Sequence, residues 1–242
     1  MKQGMFKIAE NAALTQNVYK MQLVGDVSDI TASGQFINIK LDGLYLRRPI
    51  SVYDCDENSV TIIYKVVGKG TQQMSKMKIG EQLDVLTGLG NGYDTSLCEN
   101  HAVLLGGGVG VPPLYMLAKE LISQNKKVIV VLGFNTKDEV FCDEDFKALG
   151  ADVIVTTVDG SYGVKGFVTD ALPNDYDHFF TCGPEPMLKA VYKATNKSGQ
   201  FSFEERMGCG FGACMGCSCK TITGYKRICK DGPVLLKEEI LW

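Results

Sequence analysis

The amino-acid sequence predicts a β + α/β protein in three parts: an N-terminal antiparallel β-barrel, a parallel-sheet α/β domain and a small C-terminal subdomain. Three observations predict this. Short runs of β-branched and aromatic residues, separated by turn residues, fill the first 98 positions. Compact apolar runs then alternate with helix-compatible stretches up to about residue 200. Five of the nine cysteines lie within the last 34 residues.

The first region is expected to form a small antiparallel barrel, because its short strands follow one another at regular spacing. Turn residues such as Asp42-Gly43 separate them, and one helix-like piece, from Thr71 to Met77, interrupts the series before Gly80. The predicted strands are Phe6–Ile8, Val18–Leu23, Phe36–Leu41, Pro49–Tyr53 and Val60–Val67.

The second region is expected to form a parallel sheet with helices on both faces, because its strands are apolar along nearly their whole length. The predicted strands are Ala102–Leu105, Lys127–Leu132, Asp152–Thr157 and His178–Thr181, and the predicted helices are Pro112–Gln124, Asp143–Leu149 and Glu185–Asn196. The third region is too short to fold alone without a cross-link or a metal.

Composition limits the classes of function. With 242 residues and 45% hydrophobic content, the chain can bury a sizeable core. Its net charge of −3 gives no electrostatic reason to expect nucleic acid or an anionic membrane as partner. No apolar run has the length of a membrane span, and the N-terminal segment turns polar at Glu10. We therefore expect a cytoplasmic protein.

The cysteine-rich end of the chain predicts a metal centre. Cys209, Cys214 and Cys217 have the spacing C-x4-C-x2-C, which is the plant-type ferredoxin spacing for a [2Fe–2S] cluster held by four thiolates. Glycines let a loop adopt positive φ values and aim backbone N–H groups at sulfur. The glycines that surround the cysteines are Gly208, Gly210, Gly212 and Gly216.

The fourth ligand is either Cys219 or Cys229. Cys219 lies two residues past Cys217, so both side chains would reach one cluster with difficulty. Cys229 precedes Asp231-Gly232, where a turn can fold it back, and we therefore expect Cys229. The competing interpretation is a structural zinc site, but such sites usually pair their ligands as two C-x2-C motifs and this chain has one.

A glycine-rich turn predicts a nucleotide site. Gly106, Gly107, Gly108 and Gly110 follow a predicted strand and precede a predicted helix, where glycines allow a pyrophosphate to approach the backbone. The usual G-x-G-x-x-G is incomplete, since Val111 takes the place of its last glycine.

A second turn, Cys182-Gly183-Pro184, follows the last predicted strand of the same sheet. Both turns are expected to face one crevice, since ligands of open α/β sheets bind at the carboxyl ends of the strands. No acidic residue stands at the end of the second strand, where Gly133-Phe134 is found instead, so the usual marker does not separate NAD from NADP.

A pair of arginines opens the fourth predicted strand. Arg47 and Arg48 precede Pro49-Ile50-Ser51, and neighbouring residues of a strand point to opposite faces. One arginine is therefore expected to face a ligand and the other to face solvent. Guanidinium groups bind phosphate through two parallel hydrogen bonds, and Ser51 adds a hydroxyl group.

Taken in order, these motifs resemble the ferredoxin–NADP reductase superfamily. The order is Arg-Pro-x-Ser, Ile63-Tyr64-Lys65, Gly70-Thr71, the triple glycine and Cys-Gly-Pro-x-Pro-Met. With the ending Cys-Gly-x-Gly-x-Cys-x-Gly-Cys…Cys-x-Asp-Gly-Pro-Val, almost the whole chain is similar to the electron-transfer subunits of type B (NAD-dependent) dihydroorotate dehydrogenase. The resemblance implies an FAD-binding barrel at 1–98, an NAD-binding domain at 99–200 and a [2Fe–2S] subdomain at 201–242.

The resemblance also implies residue roles. Arg48, Pro49, Ile50 and Ser51 would contact the flavin and its phosphates, and Ile63, Tyr64 and Lys65 would line its ribityl and adenosine side. Gly70 and Thr71 would direct backbone N–H groups at the pyrophosphate. Cys209, Cys214, Cys217 and Cys229 would hold the cluster, and Cys182 could face the flavin.

The implied function is electron transfer in pyrimidine biosynthesis. A separate FMN-containing catalytic subunit would oxidise dihydroorotate, and electrons would cross the cluster and FAD to NAD+ in a heterotetramer with two copies of each subunit. This chain shows no dihydroorotate site of its own and no catalytic residue for that step. Two alternatives are a reductase subunit with a ferredoxin- or sulfide-type partner, and a zinc-stapled nucleotide-binding module without redox activity.

Overall fold

The computed structural model describes every residue from Met1 to Trp242. Its N-terminal half contains the strands β1 (Lys2–Ala13), β2 (Val18–Val24), β3 (Phe36–Ile39), β4 (Arg48–Cys55), β5 (Ser59–Lys65) and β6 (Gln82–Leu89), with the helix α1 (Lys69–Met74) between β5 and β6. These strands close into an antiparallel barrel in the order β1-β2-β5-β4-β3-β6. The predicted barrel is confirmed, and β6 is a strand that the sequence analysis did not identify.

The barrel core follows from the alternation of side chains along each strand. Ile8, Met21, Ile37, Ile62 and Val85 come from five different strands and are all fully buried inside the barrel. Their side chains fill the interior, so a ligand of the barrel must bind in its wall or at its rim.

The second half of the chain forms a sheet that is mostly parallel. Its strands and helices are β7 (His101–Gly107), α2 (Pro113–Ser123), β8 (Lys127–Phe134), α3 (Asp143–Ala148), β9 (Asp152–Thr157), β10 (Val164–Lys165), β11 (His178–Cys182), α4 (Glu185–Ala194), β12 (Gly199–Ser202), β13 (Ser218–Thr221), β14 (Gly224–Arg227) and β15 (Val234–Leu236). The sheet order is β10-β9-β8-β7-β11-β12-β15, and β13 and β14 form a separate hairpin.

Helices cover the sheet as predicted. Leu114, Leu117, Ala118 and Leu121 recur at helical spacing, and all four are fully buried. They pack with Leu104 and neighbouring strand residues on one face of the sheet. Leu188 and Val191 of α4 pack on the other face.

The C-terminal region is joined to the sheet. The boundary expected at residue 200 falls inside β12, and β15 pairs antiparallel with β12, so that Ser202 lies opposite Val234. Cys217, Ile228 and Cys229 are buried in the core on that side of the sheet. None of the helices has the length and apolar character that a membrane crossing needs.

Candidate functional site

The barrel wall opens between β4 and β5. Their ladder starts at Cys55 opposite Val60 and ends at Val52 opposite Ile62. Beyond that point, residues 48–51 pair only with β3, and residues 63–65 pair only with β2. The two strands therefore separate and leave a gap, which we call the β4–β5 gap.

Backbone groups of β4 are available in this gap. Val52 donates its N–H to the carbonyl oxygen of Gln35 on the β3 side. Since backbone groups alternate between the two sides of a strand, Ser51 directs its N–H and C=O towards the gap. Residues 48–51 are all half-buried, so the wall of the gap is accessible to a ligand.

One end of the gap is suited to an anion. Arg48 forms no ion pair, and its guanidinium donates only to the carbonyl oxygens of Leu46 and Arg47. It lies against Gly70, where an added Cβ would stand 2.3 Å from the Arg48 Nε. The backbone N–H groups of Gly70 and Thr71 have no acceptor within the chain. A free guanidinium and two free N–H groups thus lie side by side, as a pyrophosphate requires.

The expectation that one arginine of the pair faces solvent is wrong, because Arg47 pairs with an acidic residue. The Arg47 Nη2 lies 2.9 Å from the Asp84 Oδ1, and Nη1 donates to the Asp84 carbonyl oxygen at 2.9 Å. Arg47 therefore holds the loop before β4 against β6. The alternation of side chains along a strand correctly predicted that the two arginines point in different directions. It did not predict that Arg47 pairs with Asp84, which is distant in the sequence.

The structure brings most of the residues expected at the flavin to the gap, but not Tyr64. Its side chain belongs to the barrel core, is 2% exposed, and donates its hydroxyl proton to the Asn11 Oδ1 at 3.0 Å. Ile63 and Lys65, its neighbours on β5, point to the opposite face. Ile63 is buried there in the core that includes Val18 and residues of the α/β domain, and only Lys65 is half-buried. Thr71 holds the turn at the far end, since its Oγ1 accepts the N–H of Val67 at 3.0 Å.

The two turns of the α/β domain meet, as predicted. Strands β7 and β11 are adjacent, with Gly106 opposite Cys182. A Cβ on Gly110 would lie 2.3 Å from the carbonyl oxygen of Cys182 and 2.6 Å from the Cα of Gly183. A Cβ on Gly107 would lie 2.4 Å from the sulfur of Met187. The close packing of the turns therefore requires glycine at position 110, where the clash is with backbone, whereas at position 107 the Met187 side chain would have to move.

Gly108 has a different position from its neighbours. Its φ is 52°, and no atom lies within 4 Å of the place where a Cβ would stand. It is therefore the glycine of this turn that faces open space, where a nucleotide can approach. Pro184 of the second turn is exposed. Burial raises the pKa of the Cys182 thiol to about 12, so this thiol stays neutral.

A pocket lies between the first of these turns and the barrel. Val18 and Lys65 line it from the barrel, and Gly108, Phe134 and Glu139 line it from the α/β domain. Glu139 was not predicted as a nucleotide-binding residue, because it stands five residues past the end of β8 rather than at that end. A short 3-10 turn folds it back, and its Oε2 accepts from the N–H and the Nδ2 of Asn135 at 3.3 and 2.9 Å.

The cysteine loop directs backbone N–H groups at its sulfur atoms. The N–H of Ala213 donates to the Cys209 Sγ at 3.2 Å, that of Gly216 to the Cys214 Sγ at 3.5 Å, and that of Cys229 to the Cys217 Sγ at 3.4 Å. Burial raises the pKa of the Cys209 thiol, but the N–H groups wrapped around it lower that pKa further, to about 6. This is the environment of a thiolate ligand.

Cys229 lies beside Cys217, the last cysteine of the loop. It is 2% exposed, and burial together with the adjacent Cys217 and Cys209 raises the pKa of its thiol to about 12. A bound metal cation relieves such repulsion between neighbouring thiolates. Cys219 instead lies in β13, opposite Lys226, and packs partly against the core. The geometry therefore favours Cys229 as the fourth ligand.

The four cysteines fit a two-iron cluster in donor chemistry, because they offer four sulfur atoms and three N–H groups aimed at sulfur. No three His, Cys, Asp or Glu side chains converge as they would around a single metal ion. A two-iron cluster spreads its ligands over two metal ions, so its cysteines need not converge on one point.

Comparisons with known proteins agree with this site. The family model "Iron-sulfur cluster binding domain of dihydroorotate dehydrogenase B" matches residues 204–241, and the model "Oxidoreductase NAD-binding domain" matches residues 104–193. A dihydroorotate dehydrogenase B (NAD(+)) electron transfer subunit from Fusobacterium nucleatum is 46% identical, with 96% of each chain covered. This chain belongs to the family of dihydroorotate dehydrogenase B electron transfer subunits.

Other members and structures extend this result. The family member from Bacillus pumilus is 44% identical over 99% of this chain and 98% of its own length. A chain from the structure of the NADH-dependent reduced ferredoxin-NADP oxidoreductase, studied for flavin-based electron bifurcation, has a TM-score of 0.90 and 31% identity, over 99% of this chain and 90% of its own. A Neisseria gonorrhoeae ferredoxin NADP+ reductase with bound FAD and NADP shares the fold, at a TM-score of 0.70 and 16% identity, over 80% of this chain and 90% of its own. The family and fold predicted from the sequence are confirmed.

Proposed function

We propose that this chain passes electrons between NAD+ and an FMN-containing dihydroorotate dehydrogenase catalytic subunit, as part of pyrimidine biosynthesis. FAD would lie in the β4–β5 gap, in the barrel assigned to residues 1–98. NAD would bind at the turns of the domain at residues 99–200. A [2Fe–2S] cluster would be held at residues 201–242 by Cys209, Cys214, Cys217 and Cys229.

One observation carries the proposal: the β4–β5 gap lies between the nucleotide turns and the cysteine loop. Lys65 beside the gap shares a pocket with Gly108 of the first turn. On the other side Asn38, opposite Pro49 of β4, contacts the backbone of Cys209. This order suits the chemistry, because a flavin exchanges hydride with a nicotinamide and single electrons with an iron–sulfur cluster.

The chain's own residues would bind and orient these groups. Arg48 and the N–H groups of Gly70 and Thr71 would hold the FAD pyrophosphate, while Ser51 would offer its backbone to the flavin ring. Gly108 would admit the NAD pyrophosphate. Glu139 would accept the ribose hydroxyl protons of NAD and repel the 2′-phosphate of NADP. None of these residues oxidises dihydroorotate, so that step would belong to the partner.

The partner and the cellular location are also part of the proposal. We infer a heterotetramer of two electron transfer and two catalytic subunits, located in the cytoplasm, without nucleic acid or membrane as partner. The neutral-to-acidic charge balance of −3 supports the absence of a nucleic-acid partner. The likeness to the NADH-dependent reduced ferredoxin-NADP oxidoreductase supports a second candidate, in which a different redox protein takes the place of the catalytic subunit.

The test is anaerobic co-purification of the chain with its cellular partners. The proposal expects flavin, iron and acid-labile sulfide in the complex, a visible spectrum that NADH bleaches, and dihydroorotate oxidation coupled to NAD+ reduction. A redox partner without dihydroorotate activity would instead favour the second candidate. A colourless chain that contains zinc would overturn both and favour the zinc-stapled module.

A further inference from the structure

One buried polar side chain of the barrel has no role in the site described above. Asn38 of β3 is 1% exposed, and its neighbours Ile37 and Ile39 are buried in the barrel core on the opposite face. Its Oδ1 is buried without any hydrogen-bond partner. A buried acceptor without a partner destabilises the fold, because it loses its hydrogen bonds to water. A polar residue kept at such a cost points to a function.

The cysteine loop rests directly on this amide. The Asn38 Nδ2 donates to the carbonyl oxygen of Cys209 at 3.3 Å. The next residue, Gly210, has a φ of 80°, and a Cβ there would lie 2.3 Å from the same Nδ2. The peptide bond that follows the first cysteine therefore packs against Asn38, and only glycine at position 210 permits this approach.

The other side of Asn38 is the strand of the β4–β5 gap. Asn38 lies opposite Pro49. Val52 donates to the Gln35 carbonyl oxygen, which makes the Asn38–Pro49 pair one that is not hydrogen-bonded. In such pairs the Cα atoms are about 4.5 Å apart, and the side chains stand next to each other on one face. Asn38 therefore contacts the cysteine loop and also lies next to Pro49 in the wall of the gap.

We propose that Asn38 is a positioning residue for electron transfer between the flavin and the cluster, an inference that rests on the proposed function. Its amide would hold the Cys209 carbonyl group against β4 and so fix the separation of the two cofactors. The same contact would keep the N–H of Ala213, 3.2 Å from the Cys209 Sγ, in place. An N–H aimed at sulfur stabilises the added charge of a reduced cluster, so Asn38 would also raise the cluster's reduction potential.

The test is the variant Asn38→Leu in the anaerobically purified complex. We expect a lower midpoint potential of the cluster in an EPR-monitored redox titration. We also expect release of iron to a chelator to be about tenfold faster, which corresponds to a barrier lowered by about 1.4 kcal/mol. Where Asn38→Leu does not fold, Asn38→Ala removes the same amide without adding bulk and is measured in the same way.

The matched control is Asn91→Leu. Asn91 also ties the barrel side to the C-terminal region, since it donates to the carbonyl oxygens of Val234 at 2.8 Å and Asp231 at 3.4 Å and accepts the Val234 N–H at 3.1 Å, but it forms no hydrogen bond with residues 209–217. We expect this variant to leave the potential unchanged. A shift equal to that of Asn38→Leu would overturn the inference, because it would reflect general loosening.

The two failures are distinguishable. A wild-type complex that holds no iron and sulfide overturns the proposed function itself. A loaded wild-type complex whose potential and iron release match those of Asn38→Leu overturns only the role of Asn38.

Discussion

Arg227 and Asp231 face each other across the turn that carries Cys229. The Arg227 Nε lies 2.8 Å from the Asp231 Oδ2, and Nη2 lies 3.0 Å from Oδ1, so the pair has two parallel contacts. The third nitrogen, Nη1, donates to the carbonyl oxygen of Gly212 in the cysteine loop at 2.9 Å. The Arg227 guanidinium group therefore joins the segment that carries Cys229 to the loop that carries Cys209, Cys214 and Cys217.

The first prediction concerns this guanidinium. Arg227→Lys keeps the charge but loses the planar fork, so it cannot make all three contacts. We expect the protein to fold and to release its cluster to a chelator about tenfold faster than wild type, measured by the decay of the iron–sulfur absorption. The matched control is Lys226→Ala. Lys226 lies on the β13–β14 hairpin, as Arg227 does, and the variant breaks its ion pair with Glu239. Equal loss in both variants would argue against a specific role of Arg227.

The second prediction separates the two candidate fourth ligands. Cys229 is buried beside Cys217, whereas Cys219 lies in the β13–β14 hairpin. We expect Cys229→Ser to lose iron and sulfide on anaerobic purification and Cys219→Ser to keep both, as measured by chemical analysis per chain. NADH should still reduce the FAD of Cys229→Ser, because the proposed binding sites for NAD and FAD do not include the cysteine loop. Full iron content in Cys229→Ser would refute the ligand assignment.

The third prediction uses the adjacent arginines as test and control. Arg48 has no acidic partner, so Arg48→Ala removes a group available to the FAD pyrophosphate. A hydrogen bond to a charged group contributes about 1.5–3 kcal/mol, so the Kd of FAD should rise about ten- to hundredfold in a fluorescence titration of the apo-protein. Arg47→Ala loses the ion pair with Asp84 and should lower the free energy of unfolding, while its effect on the Kd of FAD is smaller. Unchanged FAD binding in Arg48→Ala would contradict this.

The fourth prediction addresses nucleotide choice. Glu139 lines the pocket with Gly108, and a carboxylate there favours ribose hydroxyls over a 2′-phosphate. Glu139→Gln should lower the ratio of kcat/KM for NADH to that for NADPH about tenfold, measured by flavin-dependent dye reduction. Asp138→Asn, one residue earlier on an exposed turn, is the control and should leave the ratio as it is. A ratio that does not change in Glu139→Gln would remove Glu139 from the nucleotide site.

The fifth prediction follows from a buried histidine. Burial lowers the pKa of His178, and its Nε2 lies 3.2 Å from the Nε2 of Gln200, an amide nitrogen that can only donate. In the unfolded chain His178 takes up a proton near the ordinary histidine pKa of about 6.5, whereas in the folded protein it stays neutral to lower pH. The contribution of His178 to stability is therefore present above about pH 6.5 and is lost as the pH falls below it. NMR of the two histidine rings between pH 7 and 5 should show His178 still neutral where a free histidine is charged.

A variant checks that pH effect. His178→Gln replaces the ring with an amide that does not titrate, so the urea midpoint should fall less steeply between pH 7 and 5 than in wild type. The same slope in both proteins would show that His178 does not cause the dependence.

Local patterns predicted most of the fold. The apolar strands, the helix with leucines at helical spacing and the cysteine spacing each reside in a few neighbouring residues. Strand β6 was missed because Asp84, Thr87 and Gly88 interrupt its apolar pattern. Its place in the barrel depends on pairing with β1 and β3, which a local pattern does not contain.

The candidate site was predicted in its motifs but not in its long-range contacts. The role of Arg48 follows from its own segment, whereas the pairing of Arg47 with Asp84 links positions 37 residues apart. The burial of Tyr64 depends on Asn11, which lies 53 residues away. Such contacts form only once the barrel closes, so the sequence pattern alone could not assign them.

The hairpin register of β12 and β15 has a consequence for the protein's architecture. Ser202 and Val234 stand opposite each other at the edge of the sheet, so the intervening 31 residues leave and re-enter at nearly the same point. The whole cysteine-bearing segment is therefore an excursion between two paired strands. A segment attached in this way can differ in length without reordering the sheet, while Cys217, Ile228 and Cys229 anchor it in the core that it shares with the sheet.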